Sequence, residues 1–437
     1  MKRLKLLVTL ASLGALCLAM APVSLRAETV SLTLWHQEQP PRRVKRYQEV
    51  FDSFMKEYPN IKVTQHVQTW GEAYTKTMAA IRARKAPDLL FGIPEFTVNI
   101  KRSRAVQPVD EIVELLKGKY NIYNATLQPY HYEGHFWSVP LYGMNHLLYY
   151  RKSVFEAGGM DPEAPPKTWT ELLSAIDRLR GAGVVQYGIG VPVSKSLAGD
   201  QFMYSLLVTN KAEHLFGERK DEIIFDNPRT VDTYKFWKKL YDTAPPGGLS
   251  WQWVEPQLAL VNRQTAFGII LGGFLGHWEE QAKEKVEDLG AGFVPRPEDG
   301  QPGTIYYSNG VMLLTKDKKK REAAKTLIEY LYRPEVMGYF LNAQPGLFLP
   351  VTEEAAKANS FWEDPMVKKY AHIIKREIEQ SKYGKLYGFT RDEVNPNIGR
   401  IAGQYLLAQV GQKMVIDGLS AEDAVKWGAE KMREAIK

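Results

Sequence analysis

Residues 135–176 read HFWSVPLYGMNHLLYYRKSVFEAGGMDPEAPPKTWTELLSAI, and this stretch decides the fold. Its first part, residues 136–150, is apolar and rich in aromatic and β-branched residues, a composition typical of strands. Residues 151–157 have a helix-like pattern and are followed by Gly158-Gly159. Because glycine readily adopts the left-handed conformation in which many helices end, the pair predicts the end of a short helix.

A second helix begins near the end of the same stretch. Thr168 is followed three residues later by Glu171, the spacing of a capping box, in which each side chain bonds to the backbone N–H of the other residue. An amphipathic pattern then continues over residues 172–180. The stretch therefore predicts a strand, a short helix and a well-capped longer helix in succession.

Strand and helix patterns alternate along the rest of the chain, which indicates an α/β fold built on a parallel, doubly wound sheet. Strands are predicted at residues 30–35, 61–67, 87–92, 187–191, 266–271, 290–294 and 310–314. Helices are predicted at residues 43–56, 70–85, 200–208, 231–241, 321–331, 404–415 and 421–436, with a further helix directly after Gly272-Gly273.

The order of these blocks resembles a known family. Val139-Pro140, LLYY at 147–150, Ala157-Gly158, PPKTW at 165–169 and ELL at 171–173 follow one another here. The same succession is usual in the extracellular solute-binding proteins of ABC importers, in their carbohydrate-binding, maltose-binding-protein-like branch. The resemblance covers most of the mature chain, and it rests on the co-linear set of blocks more than on any single one.

This resemblance implies a two-lobed fold with the ligand cleft between the lobes and a hinge of several crossing segments. It assigns residues 28–110 and 311–360 to the first lobe, and residues 111–310 and 361–437 to the second, with crossings near 110, 310 and 360. It also implies a monomer that needs no cofactor and delivers its ligand to inner-membrane ABC permease subunits.

The first 27 residues differ from the rest. A basic start precedes an apolar run at residues 6–20 that is short for a membrane span, and Ala27 offers a small residue at a cleavage point, so a cleaved secretory signal peptide is predicted. The only cysteine, Cys17, lies in that run and matches a lipoprotein signal poorly, so periplasmic release and a cysteine-free mature chain are expected. Removing four basic residues lowers the formal charge from +7 to +3, which argues little for a nucleic-acid partner.

Motifs of catalysis are absent from the sequence: it contains no phosphate-binding P-loop, no H-E-x-x-H, no G-x-S-x-G and no dinucleotide-type G-x-G-x-x-G. His131 and His135 have a metal-ligand spacing on a helix, but Gly134 between them favours a loop before a strand, so no metal is predicted. Lys318 to Arg321 is interpreted as a solvated turn before a helix, with a partner-docking patch as the alternative.

Aromatic residues make up 11% of the chain, and several of them fall where an α/β fold has its loops. Sugar rings pack their apolar faces on aromatic rings, and their hydroxyls need fixed donors and acceptors. From this pattern the candidate binding residues are Trp35, His36, Trp70, Trp251 and Trp253. Tyr142 and Asn145 interrupt an apolar run, so either faces the cleft, or Asn145 only satisfies backbone groups at the hinge.

The resemblance adds further candidates at positions that bind ligand in relatives. Glu38 and Glu95 follow the first and third predicted strands, and Asp200 and Gln201 open a helix of the second lobe. Turns that resemble family turns supply the remaining candidates: Gly272, Gly273, Phe274, Ser308, Asn309, Asn397 and the aligned aromatic Tyr405.

The sequence thus predicts a periplasmic protein that captures a carbohydrate, such as an oligosaccharide or glycoside, by closure of two lobes. A secreted glycosidase stays open, because Glu38 and Glu95 could flank one bond. A second alternative keeps the fold but takes a phosphorylated or sulfonated sugar, a polyol or a peptide as ligand. Arg42, Arg43 and Arg391 could hold the anion of such a ligand.

Overall fold

The computed structural model describes residues 28–389 and 394–437, so the expected signal peptide, Cys17 and Arg391 lie outside the described residues. In the part of the chain that is described, no helix combines the length and apolarity needed to cross a membrane.

The strands are β1 (Val30–His36), β2 (Ile61–Val67), β3 (Leu89–Gly92), β4 (His131–Tyr132), β5 (His135–Phe136), β6 (Val139–Arg151), β7 (Tyr187–Gly190), β8 (Thr265–Leu271), β9 (Leu289–Gly292), β10 (Thr304–Leu313) and β11 (Gly384–Lys385). Each strand predicted from the alternation is present, but β10 begins six residues earlier than expected, and β4, β5 and β11 were not predicted.

Helices fill the connections between the strands. They are α1 (Pro41–Glu57), α2 (Trp70–Arg82), α3 (Pro94–Lys101), α4 (Asp110–Lys117), α5 (Asn124–Leu127), α6 (Lys152–Ala157), α7 (Trp169–Gly181), α8 (Leu197–Thr209), α9 (Pro228–Tyr241), α10 (Val254–Val261), α11 (Leu275–Ala282), α12 (Lys318–Leu331), α13 (Pro334–Leu341), α14 (Glu353–Lys357), α15 (Asn359–Trp362), α16 (Pro365–Lys369), α17 (Ala371–Ser381), α18 (Ile398–Ala402), α19 (Leu406–Val415) and α20 (Ala421–Ile436).

Local signals in the sequence account for the helix ends of the stretch 135–176. Both bonds of the capping box between Thr168 and Glu171 are present at the start of α7, as predicted. Gly159, after α6, has φ +66°, the left-handed conformation expected of a residue that ends a helix. The pair His131 and His135 belongs to the β4–β5 hairpin, so the helical metal-ligand spacing does not apply.

The sheet is mixed, which corrects the prediction of a parallel one. Its hydrogen-bonded order is β2-β1-β3-β10-β6-β8-β7, with β11 beside β10 and β9 beside β6. The strands are parallel in β2-β1-β3 and in β8-β7, but β10 runs antiparallel to both β3 and β6. The alternation of elements predicts strand direction within one half of the sheet, but not that of a strand returning from the other half.

Two long strands, β6 and β10, join the two halves of the sheet. β10 pairs with β3 through Gly310 to Leu313, and β6 pairs with β8 and β9 through residues 146–151. The pairing of β10 with β6 shifts register between Asn309 and Gly310, beside the crossing expected near residue 310. Irregular pairing at this point re-aims the strand as it passes from one half to the other.

The hydrophobic core beside β1 contains residues from both halves of the sheet. Ile112, Val113 and Leu116 of α4 lie in the same hydrophobic core as Leu32 and Leu34 of β1. The same core also contains Leu260 and Ile270 from the other half of the sheet, so this packing does not locate the first crossing. The lobe limits at residues 110, 310 and 360 remain a prediction.

Candidate functional site

A cleft of about 810 Å³ opens between helix starts from the two halves of the sheet. On one side, Trp70 begins α2 and Glu95 lies in the first turn of α3. Both helices follow strands of the parallel set β2-β1-β3, whose carboxyl ends lie along one edge, the usual ligand end of such sheets. On the opposite side are Lys195, Trp253 and Tyr405, which precede α8, α10 and α19.

Aromatic rings from both sides line this cleft. Trp70, Tyr74 and Phe96 belong to the first side, and the rings of Tyr74 and Phe96 meet edge to face at 6.0 Å. Trp253 and Tyr405 belong to the second side. Rings that face a shared space from two sides can enclose the apolar faces of a sugar ring.

Among the described residues that line this cleft, Glu95 supplies the carboxylate, and it is only 4% exposed. The hydroxyl of Tyr307 donates to its Oε1 at 2.8 Å and lies 3.1 Å from the hydroxyl of Tyr387. Its Oε2 has no hydrogen-bond partner among the described residues. Burial raises the pKa of Glu95 to about 7, because removal from water disfavours the charged form. One carboxylate oxygen is therefore held by Tyr307, while the other is buried beside the cleft without a protein partner among the described residues.

Four of the residues predicted from the sequence, Trp70, Glu95, Trp253 and Tyr405, line the same cleft. A fifth, Gln201, stands behind it, where its Oε1 accepts a hydrogen bond from the indole N–H of Trp253 at 2.7 Å. The structure brings these five together from five separate segments of the chain.

Three other predicted residues form a buried network beside the long strands. The hydroxyl of Tyr142 donates to Oε1 of Glu38 at 2.8 Å and accepts from the amide of Asn309 at 2.8 Å. Arg43 pairs with the other carboxylate oxygen of Glu38. Because the carboxylate of Glu38 is taken up by these partners, the network ties β1, α1, β6 and β10 together and does not line the cleft.

Asn145, Ser308 and His36 are also held by protein groups. The amide of Asn145 donates to the backbone oxygen of Glu377 at 2.8 Å, in line with the alternative that it satisfies backbone near the hinge. Ser308 donates to the backbone oxygen of Thr126 at 2.9 Å. His36 is bonded to a glutamine side chain at 2.8 Å, and burial lowers its pKa.

The turn at Gly272, Gly273 and Phe274 lies in the core. Phe274 is buried against Tyr149 with ring centroids 4.5 Å apart. A Cβ on Gly272 would meet the carboxylate of Glu377 and a backbone oxygen, so the glycine permits a close approach of chain segments. This turn resembles a binding turn of the family, but in this structure Gly272 and Phe274 serve the packing of the core.

The remaining predicted residues lie outside the cleft. Trp35 packs edge to face against His66. Asn397 donates to the backbone oxygen of Lys220 at 3.1 Å, and the backbone oxygen of Trp251 accepts from a serine. Asp200 is buried and accepts from the backbone N–H of Ala408 at 2.8 Å.

Sequence reasoning missed several polar residues of the cleft. Asn99 and Arg102 of the α3 segment follow Glu95 by four and seven positions, a spacing that places all three on one face of a helix. That periodicity was the signal available. Lys195 and Arg400 come from the opposite side, where no pattern in the sequence marks them.

Two of the three arginines proposed for an anionic ligand, Arg42 and Arg43, are not among these cations, and the third, Arg391, lies outside the described residues. Arg42 donates to the backbone oxygen of Asn342 at 3.3 Å, and Arg43 pairs with Glu38, so neither lies at the cleft. Among the described residues, no group of three or more His, Cys, Asp or Glu side chains is placed to hold a metal ion.

Comparison with known proteins identifies the family. The model described as bacterial extracellular solute-binding protein matches residues 40–338. The sn-glycerol-3-phosphate-binding periplasmic protein UgpB of Pectobacterium atrosepticum is 25% identical over 357 residues, which cover 78% of each chain.

Two solved structures share the fold. An ABC transporter solute-binding protein from Thermotoga lettingae, bound with alpha-D-tagatose, has a TM-score of 0.76 at 20% identity and covers 94% of this chain and 100% of its own. Maltose-bound MalE3 of T. maritima has a TM-score of 0.77 at 16% identity and covers 93% of this chain and 100% of its own.

The chain belongs to the bacterial extracellular solute-binding proteins, because the family match spans more than half of it. The resemblance seen in the stretch 135–176 is thereby confirmed, as are the two-lobed α/β fold and the role of a solute-binding protein in ABC transport. The solute is a separate question.

Proposed function

We propose that this protein captures a carbohydrate, an oligosaccharide or glycoside, in the cleft between its lobes and delivers it to inner-membrane ABC permease subunits. One observation carries the proposal. The cleft combines rings on both sides, among them Trp70, Trp253 and Tyr405, with the buried carboxylate of Glu95, whose Oε2 is unpartnered within the described residues. Ring faces and a fixed hydroxyl acceptor are the two things that a sugar requires of a site.

A second candidate ligand is an anionic sugar or polyol. Within the described part of the chain, Arg102, Lys195 and Arg400 line the same cleft, and Glu95 is the acidic residue there. Such an excess of cations would favour a phosphorylated or sulfonated ligand. The relative UgpB, whose name describes a glycerol phosphate as its ligand, supports the same possibility.

A thermal-shift screen separates the two ligands. Neutral oligosaccharides such as maltose and maltotriose are compared with glycerol 3-phosphate and a sugar phosphate, and each hit is titrated by calorimetry. The proposal expects saturable one-to-one binding of a neutral sugar. Binding of the anionic compounds alone, lost in Arg102→Gln, would favour the second candidate instead.

The glycosidase alternative requires two carboxylates on either side of one bond. Glu38 is held by Arg43 and Tyr142, which leaves it poorly suited to act with Glu95. We therefore propose binding without turnover. After incubation with oligosaccharides, chromatography is expected to show the sugars intact. Cleaved sugars would instead support the glycosidase alternative.

Location is part of the same proposal. The protein is made with a cleaved signal peptide over residues 1–27, is released as a periplasmic monomer, and closes about crossings near residues 110, 310 and 360. Sequencing of the protein from the periplasmic fraction is expected to begin near Glu28. A protein that begins at Met1, or one that carries lipid on Cys17, would contradict this.

A further inference from the structure

Two consecutive residues near the start of α8, Asp200 and Gln201, lie directly behind the second-lobe side of the cleft. They are 1% and 4% exposed, and neither lines the cleft itself. Each forms a hydrogen bond to a segment that carries one of the two aromatic residues of that side, Trp253 or Tyr405. Their position calls for a role other than the ligand contact expected from the sequence.

Gln201 is bonded to the ring of Trp253. Its Oε1 accepts the indole N–H at 2.7 Å. Trp253 faces the cleft on one side and borders a small void of about 10 Å³ on the other, which Phe202 and Pro256 also line. The bond to Gln201 is a directional restraint on the orientation of the ring, which packing beside a void does not supply by itself.

Asp200 acts on the segment that carries Tyr405. This tyrosine has φ 55° and ψ 48°, a left-handed conformation that is unfavourable for a residue with a side chain. It stands at the N-cap of α19 without a side-chain cap bond of its own, and Oδ1 of Asp200 accepts from the N–H of Ala408 in the first turn instead. The cap supplied by Asp200 from another helix anchors the start of α19 directly after Tyr405.

We propose that Asp200 and Gln201 are positioning residues, which fix the two second-lobe rings of the binding site before ligand arrives. Gln201 orients Trp253 through the indole N–H, and Asp200 anchors the start of α19 so that Tyr405 faces the cleft. The proposal rests on the proposed function only in taking these rings as ligand contacts. Rings ordered in advance lose less conformational entropy on binding, so affinity should depend on both residues.

The first test needs no ligand. In protein labelled with ¹⁵N at the indole nitrogens, Gln201→Met removes the acceptor at similar side-chain size, whereas Gln201→Glu keeps an acceptor oxygen. The indole N–H of Trp253 is expected to shift and to exchange faster with solvent in Gln201→Met, and to be restored in Gln201→Glu. An unchanged shift and exchange rate in Gln201→Met would overturn the role of Gln201.

A double-mutant cycle tests whether Gln201 acts through the ring. Titration with maltotriose is expected to show roughly three- to tenfold weaker binding for Gln201→Met in the wild-type background. In Trp253→Phe, which has no N–H to donate, the same change should have no further effect. An equal loss in both backgrounds would mean that Gln201 contacts the sugar itself, which would overturn the proposal.

Asp200 is tested in the same way with Tyr405→Ala as the second background. Asp200→Asn keeps one acceptor oxygen and is expected to bind nearly as wild type, whereas Asp200→Ala should weaken binding only when Tyr405 is present. A loss of equal size in Tyr405→Ala would refute its part. If wild type fails to bind maltotriose, the neutral-sugar function loses support, while the indole measurement still decides the role of Gln201.

Discussion

Glu95 concentrates the chemistry of the site in one side chain. Tyr307 holds its Oε1, and the pKa of the carboxyl is raised to about 7 by burial, with Asp200 and Tyr387 as further titratable neighbours. A carboxylate in this setting has lost its water and gains most from ligand hydroxyls that replace it. At pH 8 it is largely ionised and is then an acceptor only.

Removal of that acceptor should weaken binding. Glu95→Ala is expected to reduce the binding free energy of a neutral sugar by about 1.5–3 kcal/mol at pH 8, the usual range for a hydrogen bond to a charged group. Titration calorimetry measures the loss. Glu114→Ala, which removes an exposed carboxylate on α4 away from the cleft, is the control and should bind as wild type. Equal affinities for wild type and Glu95→Ala would remove Glu95 from the site.

The same carboxyl should make stability depend on pH. It loses its proton near its ordinary pKa of 4.5 in the unfolded chain but keeps it to about 7 in the folded protein. Its contribution to stability is therefore complete below pH 4.5 and declines as pH rises through 7. Glu95→Gln should gain stability over wild type from pH 5 to 8, by at most about 3 kcal/mol. Urea unfolding at each pH measures this, and parallel pH profiles for the two proteins would contradict it.

At this scale the sequence predicted part of the site. Trp70 and Trp253 were predicted from their place in loops or at a helix start, and Glu95 and Tyr405 from positions that the family resemblance assigns to ligand binding; all four line the cleft. Glu38 was predicted on the same ground as Glu95 but is engaged by Arg43, a partner that only the folded chain brings into contact. Sequence position predicts where a side chain starts, whereas its partners decide whether it is free for a ligand.

At the scale of elements, local signals predicted helices well because their causes are local. The capping box at the start of α7 is an example, since both of its bonds join residues three positions apart. The direction of β10 was not predicted, because it depends on how the chain returns from the other half of the sheet. The bonds from Asp200 and Gln201 to α19 and Trp253 likewise join residues distant in sequence.

The capping box gives a prediction on stability. Thr168→Ala removes the oxygen that accepts from the N–H of Glu171 at 3.1 Å and should lower the free energy of unfolding by about 1 kcal/mol. Urea unfolding measures the change. Ser174→Ala, at an exposed position inside the same helix, is the control and should change stability little or raise it slightly. A loss for Ser174→Ala as large as that for Thr168→Ala would assign the effect to the helix in general.

For the whole molecule, β6 and β10 link the two halves of the sheet beside a cleft whose walls come from both halves. A ligand that touches both walls is bound better when they approach, and a ligand shifts a conformational equilibrium only through such differential contacts. The buried network of Glu38, Tyr142 and Asn309 lies on these long strands and on the chain after β1. Closure about this region would bring the rings of the two sides together on one sugar.

The measurement that tests this most directly is small-angle X-ray scattering during titration with a neutral sugar that binds in calorimetry. The account predicts a radius of gyration that falls with added sugar and saturates at the same concentration as the heat of binding and the tryptophan fluorescence. Trp253→Ala should weaken the binding and reduce the compaction together, whereas Trp427→Ala, on α20, should leave both unchanged. A radius of gyration that stays constant at saturating sugar, or a Trp253→Ala protein that binds and compacts as wild type does, would contradict capture by closure of an aromatic-lined cleft.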